Sequence, residues 1–153
     1  MAKEIERKFL VDASKLPPLP SPLIIEQGYI PADGTTVRVR ISNDKAFLTL
    51  KGKSKGITRL EFEYPIPLQE AKEMLHALCM QPFVQKKRYC IRHGAHRWEL
   101  DIFEGENEGL IVAEIELSSE DEVFQKPEWV MQEVSDDPRY RNANLIKSPY
   151  KTW

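Results

Sequence analysis

Acidic and basic residues recur two positions apart along this chain. Glu4 and Glu6 form the first such pair. The same spacing between residues of one sign recurs later, at Arg38 and Arg40, Glu61 and Glu63, and Glu114 and Glu116. Carboxylate oxygens are the ligands that Mg²⁺ and Mn²⁺ prefer, and Arg and Lys bind phosphate oxygens. These residue types indicate a site for an anion that carries many charges together with divalent cations.

The elements that would position these side chains are β-strands, because residues two apart share one face of a strand. Eight segments alternate in this way or are rich in β-forming residues. They are residues 3–10, 23–30, 36–42, 45–53, 58–65, 84–92, 96–103 and 110–117. Turn-forming residues separate most of them, which predicts antiparallel neighbours.

The polar face of these strands is almost entirely ionic, and this allows two interpretations. In any single strand, an outer face carrying weak cross-strand ion pairs is the simpler explanation. The pattern, however, occurs in seven strands, and pairs of like charge repel unless something else neutralises them. The repetition therefore favours charges that line an enclosed interior and meet there a ligand of opposite charge.

Three helices are predicted, and they decide which face of the sheet is inside. Residues 68–79 carry an apolar stripe, Ser119 with Glu122 forms a capping box, and Asp137 followed by Pro138 marks a third helix start. These helices need apolar sheet to cover, which leaves the charges inside. We therefore predict an α+β fold: a closed eight-stranded antiparallel β-barrel with the helices packed outside.

Length and composition exclude several classes of protein. The 153 residues fit one domain, residues 1–153, and the net charge of −2 provides no general field for nucleic acid or an anionic membrane. No apolar run approaches the ~20 residues of a membrane span, and the charged N-terminus lacks a signal-peptide core, so a cytoplasmic location is expected. Cys79 and Cys90 are expected to be free thiols. Sequence motifs of P-loop, Rossmann and serine-hydrolase sites are missing.

The order of the ionic motifs resembles a known family. Glu4-Ile5-Glu6-Arg7-Lys8 matches the Glu-x-Glu-x-Lys signature that opens members of the CYTH family, the triphosphate tunnel metalloenzymes. The later motifs also follow the family's order, namely Arg38-x-Arg40, Thr49-Leu50-Lys51, Arg59-x-Glu61-x-Glu63, Lys86-x-Arg88-Tyr89, Glu99-x-Asp101 and Glu114-x-Glu116. The resemblance implies an eight-stranded tunnel in which Mg²⁺ or Mn²⁺ supports hydrolysis of a triphosphate or cyclisation of ATP. The compact length resembles that of the small bacterial members.

The resemblance also implies roles for individual residues. Metal ligands or their close supports would be Glu4, Glu6, Glu61, Glu63, Asp101, Glu114 and Glu116. Phosphate contacts would be Lys8, Arg38, Arg40, Lys51, Lys53, Arg59, Lys86 and Arg88. Glu61 and Glu63 could instead hold neighbouring Arg side chains. Lys86, Glu116 and Tyr29 are the candidate catalytic residues; Lys86 would act as a base only with a lowered pKa, and Tyr29 is equally explained as a barrel-rim aromatic.

Several activities fit this resemblance. Inorganic tripolyphosphate is the first candidate substrate, since no additional element for holding a nucleoside is evident. Thiamine triphosphatase and class IV adenylate cyclase activities stay open. A non-catalytic polyphosphate-binding module is the alternative from a different class, although such a module gains nothing from paired acids. The expected partner is a small-molecule triphosphate and neither nucleic acid nor a membrane; a homodimer, the cellular substrate and the choice between the two metals are left open.

Overall fold

The computed structural model describes residues 2–153, which form nine strands and two α-helices. The strands are β1 (Lys3–Val11), β2 (Leu23–Ile30), β3 (Thr36–Ser42), β4 (Lys45–Lys51), β5 (Thr58–Ile66), β6 (Val84–His93), β7 (His96–Phe103), β8 (Ile111–Glu116) and β9 (Val130–Glu133). The helices are α1 (Leu68–Ala77) and α2 (Asn142–Lys147). Short 3₁₀ turns occupy Ala13–Lys15, Gly105–Asn107, Pro138–Tyr140 and Tyr150–Thr152.

The first eight strands close into a barrel. Their order is β5-β4-β3-β2-β6-β7-β8-β1, and β1 also pairs with β5 to complete the circle. The first half of β1 pairs with β5 and its second half with β8, both antiparallel. The ninth strand extends the sheet at β1, outside the closed circle. The predicted eight-stranded antiparallel barrel is confirmed, whereas β9 was not predicted.

Helix α1 lies against the outer face of the barrel, as its apolar stripe predicted. Ala71 and Leu75 pack in one buried cluster with Val39 and Ile41 of β3. Gly28 of β2 permits this close approach, because a Cβ at that position would lie 2.8 Å from the Cβ of Cys79. The helix therefore covers the apolar outer face of the sheet and leaves the opposite face of the same strands to the interior.

The helix predicted from the capping box at Ser119 is wrong. Ser119 and Glu122 enclose a single turn, in which the Glu122 N–H donates to the carbonyl of Ser119. The Ser119 hydroxyl donates to Asp121 rather than capping a helix, and the Glu122 carboxylate accepts from the Ser118 N–H and contacts His96. The local hydrogen bonds of a cap thus form without a helix following them.

The segment after this turn covers a second apolar face of the barrel. Trp98 and Phe9, both fully buried, contact Phe124 and Trp129 in edge-to-face aromatic pairs on the outer side of β1, β7 and β8. Trp98 and Trp129 thus pack together in the core on this side of the barrel. No helix within residues 2–153 has the length and apolar character needed to cross a bilayer.

The C-terminal segment closes one end of the barrel. Asp137 caps the 3₁₀ turn Pro138–Tyr140, as the Asp-Pro pair predicted, and α2 follows it. Leu145 and Ile146 of α2 pack with the buried cluster that lines this end, which comprises Tyr29, Val84, Phe103, Leu110 and Val112. These strand residues alternate with outward-facing neighbours, so their own side chains point into the barrel. Helix α2 therefore packs inside one end of the barrel and not on its outer surface.

Candidate active site

The inward faces of the strands line a cavity of about 370 Å³. The structure brings fourteen of the residues predicted from sequence to its wall: Glu4, Glu6, Lys8, Tyr29, Arg38, Arg40, Lys51, Arg59, Glu61, Glu63, Lys86, Arg88, Glu114 and Glu116. The alternation of side chains explains this convergence, because each strand contributes its ionic face. The charges are therefore inside the barrel and not on its solvated surface.

Two predicted residues do not line this cavity. Lys53 lies beyond the end of β4 at Lys51, so the strand alternation that would turn its side chain inward has stopped, and it lies exposed near Gly34. Asp101 is fully buried behind the wall, where its oxygens accept from Arg88 Nε at 2.8 Å and contact Lys86 Nζ at 2.8 Å. Asp101 thus positions Arg88 and Lys86 through these contacts without lining the cavity itself.

The acids of the wall approach one another in pairs. The carboxyl groups of Glu4 and Glu61 lie within hydrogen-bonding distance, as do those of Glu6 and Glu114. Burial, followed by the charge of Glu114, raises the pKa of Glu6 well above its usual value. Burial also acts on Glu114, but Lys8 and the hydrogen bond from Glu6 outweigh it and hold the pKa of Glu114 well below the usual range. Lys51 contacts Glu4 and Glu61, and Arg88 lies 3.7 Å from Glu114, but these bases offset only part of the negative charge, which leaves a shortage of positive charge at each pair.

This shortage suits a divalent cation. Within residues 2–153, no group of three or more His, Cys, Asp or Glu side chains is close enough to form a complete metal cage. Mg²⁺ in phosphate-processing sites is usually held by one or two carboxylates together with substrate oxygens and water, so paired acids are sufficient protein ligands. The donor set of carboxylates without thiols or imidazoles fits Mg²⁺ or Mn²⁺.

The guanidinium groups of Arg38, Arg40 and Arg88 lie close enough together on the wall to repel one another. Burial, reinforced by the charges of Arg38 and Arg88, lowers the pKa of Arg40 to about 9. The Nε atom of Arg38 is buried and has no hydrogen-bond partner within residues 2–153. Crowded, buried guanidinium groups of this kind are stabilised by an anion with several oxygens, which can accept from more than one of them.

Neighbouring acids hold Arg38 and Lys51 in place. Arg38 Nη2 and the Thr49 hydroxyl both donate to Glu63, at 3.3 and 2.9 Å. Lys51 Nζ lies 3.2 Å from Glu4 and 3.1 Å from Glu61. These contacts favour the supporting role that the sequence left open for Glu61 and Glu63, while both acids still reach the cavity.

Lys86 has the most enclosed ammonium group of the site. Its side chain is 1% exposed, and Nζ contacts Asp101 Oδ2 and donates to Asn142 Oδ1, each at 2.8 Å. Burial lowers the pKa of Lys86 to about 7. The charges of Arg88 and Arg40 add to this effect, and together with burial they outweigh the opposing attraction of Asp101. The condition for Lys86 to exchange a proton near neutral pH is thus met by its surroundings.

Two further bases of the cavity wall donate to neutral oxygen atoms. Arg59 donates to the Gly52 carbonyl and the Thr36 hydroxyl, both at 3.1 Å. Burial lowers the pKa of Arg59, and the charge of nearby Arg141 adds to this effect. Lys8 Nζ donates to the Tyr140 carbonyl at 3.1 Å. Both bases line the cavity, where they can also donate to an anion.

Sequence reasoning missed several residues of this site, among them Gln27, Asn142 and Arg141. Gln27 is buried on the inner face of β2, two positions from Tyr29. That spacing was the signal that could have found it. Asn142 and Arg141 come from the C-terminal segment, which has no alternation to indicate which residues point inward.

A closed antiparallel barrel around a cavity lined by both signs of charge defines a tunnel-type protein for multiply charged anions. The CYTH domain matches residues 2–149. The chain belongs to the CYTH family, as its motifs indicated.

Relatives of known name span almost the whole chain. An inorganic triphosphatase of Acetivibrio thermocellus is 51% identical over an alignment of 154 positions. The alignment covers 100% of this chain and 99% of the relative. An inorganic triphosphatase of Nitrosomonas europaea is 36% identical and covers 95% of this chain and 97% of its own. The crystal structure of an inorganic triphosphatase, 34% identical, covers 97% of both chains with a TM-score of 0.67.

More distant structures share the fold alone. A putative adenylate cyclase of Bacillus halodurans is 19% identical and has a TM-score of 0.63, covering 78% of this chain and 84% of its own. At this identity the likeness concerns the barrel and carries no information about substrate.

Proposed function

We propose that this protein is a metal-dependent triphosphatase that hydrolyses inorganic tripolyphosphate to diphosphate and phosphate. The observation that carries the proposal is the cavity itself, whose wall brings together eight acidic and eight basic side chains. A triphosphate with a divalent cation presents both signs of charge to such a wall. The names of the two relatives that span the chain support the same substrate.

The bases on the wall bind the phosphates in this proposal. Arg38, Arg40 and Arg88 lie together in one part of the cavity, and Lys8 and Arg59 also line its wall. Guanidinium groups donate to two oxygens at once, so a chain of phosphates fits a row of them. Binding of this kind neutralises the negative charge that otherwise repels an attacking water molecule.

The acids provide the ligands for Mg²⁺ or Mn²⁺. One or two acids of the paired strands β1 and β8, chosen from Glu4, Glu6, Glu114 and Glu116, would hold the cation together with substrate oxygens. When bound, the cation supplies charge neutralisation to the phosphate oxygens. Asp101 is assigned to Lys86 and Arg88 instead, because those two bases engage its oxygens.

Lys86 is the proposed group for proton transfer. With a pKa of about 7, part of its population is neutral at pH 7 and can accept a proton from the attacking water. Water adds to a terminal phosphorus, the bridging P–O bond breaks, and diphosphate leaves with the electron pair of that bond. Tyr29, whose hydroxyl receives a hydrogen bond from Gln27 at 2.9 Å, limits the deep end of the cavity.

Phosphate release from tripolyphosphate, ATP and thiamine triphosphate, each with and without Mg²⁺ or Mn²⁺, tests this proposal. Release that is fastest from tripolyphosphate and requires a metal is the expected result. Faster release from thiamine triphosphate, or formation of cyclic AMP from ATP, would replace the substrate assigned here. Tight binding of tripolyphosphate without turnover would indicate the non-catalytic polyphosphate-binding module.

The location and the assembly of the protein are predictions as well. A cytoplasmic location agrees with the lack of a membrane-crossing helix within residues 2–153. For a homodimer, the outer face of β5 is the candidate contact surface, because Leu60, Phe62 and Tyr64 are 42%, 42% and 52% exposed there. Their register partners on β4, Leu48 and Leu50, continue the apolar face.

A further inference from the structure

Asn142 is a buried amide that belongs to no motif of the strands. It is the first residue of α2 and is 9% exposed, and its side chain reaches the wall of the cavity. Its Oδ1 atom accepts two hydrogen bonds, from Lys86 Nζ at 2.8 Å and from Gln27 Nε2 at 2.9 Å. The C-terminal segment thus supplies one polar contact to the deepest base of the site.

This contact determines the direction of the Lys86 ammonium group. An ammonium nitrogen has three N–H donors in a tetrahedral arrangement. One is directed to Asp101 Oδ2 at 2.8 Å and a second to Asn142 Oδ1 at 2.8 Å, so the direction of the third position is fixed. Nζ also lies 5.3 Å from the centre of the Phe103 ring, which limits movement on that side. Without Asn142, rotation about the Cε–Nζ bond and the side-chain torsions would have only Asp101 to restrain them.

The second bond of Asn142 extends this arrangement to other groups of the wall. Gln27, itself 1% exposed, donates to Asn142 and to the Tyr29 hydroxyl through Nε2 and accepts from Arg40 Nε at 2.8 Å through Oε1. An amide offers both donors and acceptors, so Gln27 connects Arg40 with Asn142 without adding charge. The network therefore sets the position of a phosphate-binding base relative to Lys86.

We propose that Asn142 is a positioning residue that orients Lys86 toward the terminal phosphate and its attacking water. The C-terminal segment is then required for turnover as well as for closing the barrel. This inference rests on the proposed function and on the assignment of proton transfer to Lys86. It predicts an effect on the chemical step, because Asp101 still retains the Lys86 ammonium group near the bound anion when Asn142 is changed.

The test compares Asn142→Ala with Asn107→Ala in tripolyphosphate hydrolysis. Asn107 is 5% exposed, and its Oδ1 accepts from the Tyr150 N–H at 2.8 Å, so it anchors the same C-terminal segment at a site outside the cavity wall. We expect Asn142→Ala to lower kcat about 10- to 100-fold with KM changed less than about threefold. Asn107→Ala should retain kcat within about threefold, even if its thermal unfolding temperature falls as far as that of Asn142→Ala.

Two further variants separate positioning from folding. Asn142→Asp retains an acceptor oxygen at the same position, but its negative charge raises the pKa of Lys86, so the lost kcat should be recovered at higher pH and not at pH 7. In a Lys86→Ala background, Asn142→Ala should cause little additional loss, because its effect acts through Lys86. If Asn142→Ala does not fold, Asn142→Ser, which has a shorter acceptor, takes its place and should give an intermediate kcat.

The outcomes distinguish this inference from the proposed function. Wild-type protein that releases no phosphate from tripolyphosphate with either metal overturns the proposed function and this inference with it. Active wild-type protein with an unchanged kcat for Asn142→Ala overturns the inference alone. Equal losses for Asn142→Ala and Asn107→Ala, or full additivity with Lys86→Ala, also overturn it, because they indicate a structural role.

Discussion

The carboxyl groups of Glu6 and Glu114 lie within hydrogen-bonding distance across the β1–β8 pair, and one of them retains a proton more strongly than an isolated acid would. The proton does what a cation would do, since it allows two acids to remain adjacent inside the barrel. Glu116, directly across from Glu6 and exposed to the cavity, adds a third acid near the same strands.

Glu116→Gln tests the metal assignment with the least disturbance to folding, because the side chain is exposed. The change removes one carboxylate charge and should lower metal-dependent phosphate release by about 100-fold or more, since loss of metal-derived charge neutralisation costs several kcal/mol. Phosphate release measured over a range of Mg²⁺ and Mn²⁺ concentrations checks this. Glu26→Gln, on the outward face of β2, is the control and should behave as wild type. Activity of Glu116→Gln near the wild-type level would remove Glu116 from the metal site.

Arg40→Ala tests phosphate binding. A hydrogen bond to a charged group contributes about 1.5–3 kcal/mol, so loss of Arg40 should raise KM for tripolyphosphate by about 10- to 100-fold. Steady-state kinetics and isothermal titration of tripolyphosphate measure the change. Arg92→Ala, at the exposed end of the β6–β7 hairpin, is the matched control. Unchanged kcat and KM in Arg40→Ala would show that Arg40 makes no contact with substrate.

Tripolyphosphate with Mg²⁺ should stabilise the folded protein, because the ligand relieves repulsion among the buried bases. At a ligand concentration of 100 times Kd, the stabilisation is about 2.7 kcal/mol. Thermal unfolding with and without the ligand pair measures this shift. Arg40→Ala should show a smaller shift at the same concentration. An identical shift in the two proteins would place the binding site elsewhere.

The ion pair between Arg7 and Glu133 predicts a pH dependence of stability outside the cavity. The hydrogen bond from Arg7 lowers the pKa of Glu133, with contacts of 2.9 and 2.5 Å that join β1 to β9. A group with a lowered pKa in the folded state stabilises it above its unfolded pKa and loses that effect as the pH falls. Glu133→Gln should therefore reduce stability by ~0.2–1 kcal/mol at pH 7 and by less at pH 3.

Chemical unfolding of wild type and Glu133→Gln at the two pH values measures this difference. Glu128→Gln, an exposed acid of the preceding turn, is the control. A difference that is equally large at both pH values would contradict an electrostatic origin.

The exposed apolar face of β5 predicts self-association. Phe62→Lys places a charge in the middle of that face and should shift a wild-type dimer to monomer. Sedimentation or light scattering at several concentrations measures the mass. Val123→Lys, at an apolar residue that is 88% exposed in another part of the chain, should leave the mass unchanged. A wild-type monomer at all concentrations would exclude the dimer.

The barrel was predictable because the ionic pattern repeats with a period of two in seven of its eight strands. The same alternation predicted most of the site. Once Arg38 and Glu114 are placed inside the barrel, Arg40 and Glu116 must lie inside as well, because each is two positions further along the same strand. The exceptions have physical reasons. Lys53 lies after the strand has ended, and Glu122 makes the hydrogen bonds of a cap in a turn that no helix follows.

Residues of the C-terminal segment could not be placed from sequence. Asn142 and Arg141 reach the cavity because α2 packs against the apolar end of the barrel, and this docking is a tertiary contact between distant parts of the chain. Gln27 was overlooked for another reason. An uncharged amide within an ionic pattern has no distinctive chemistry until its three hydrogen-bond partners are known.

The apolar end of the barrel, filled by Leu145 and Ile146, also has a consequence for the traffic of small molecules. A cavity that is closed at one end has a single opening, so diphosphate and phosphate leave by the route through which the next tripolyphosphate enters.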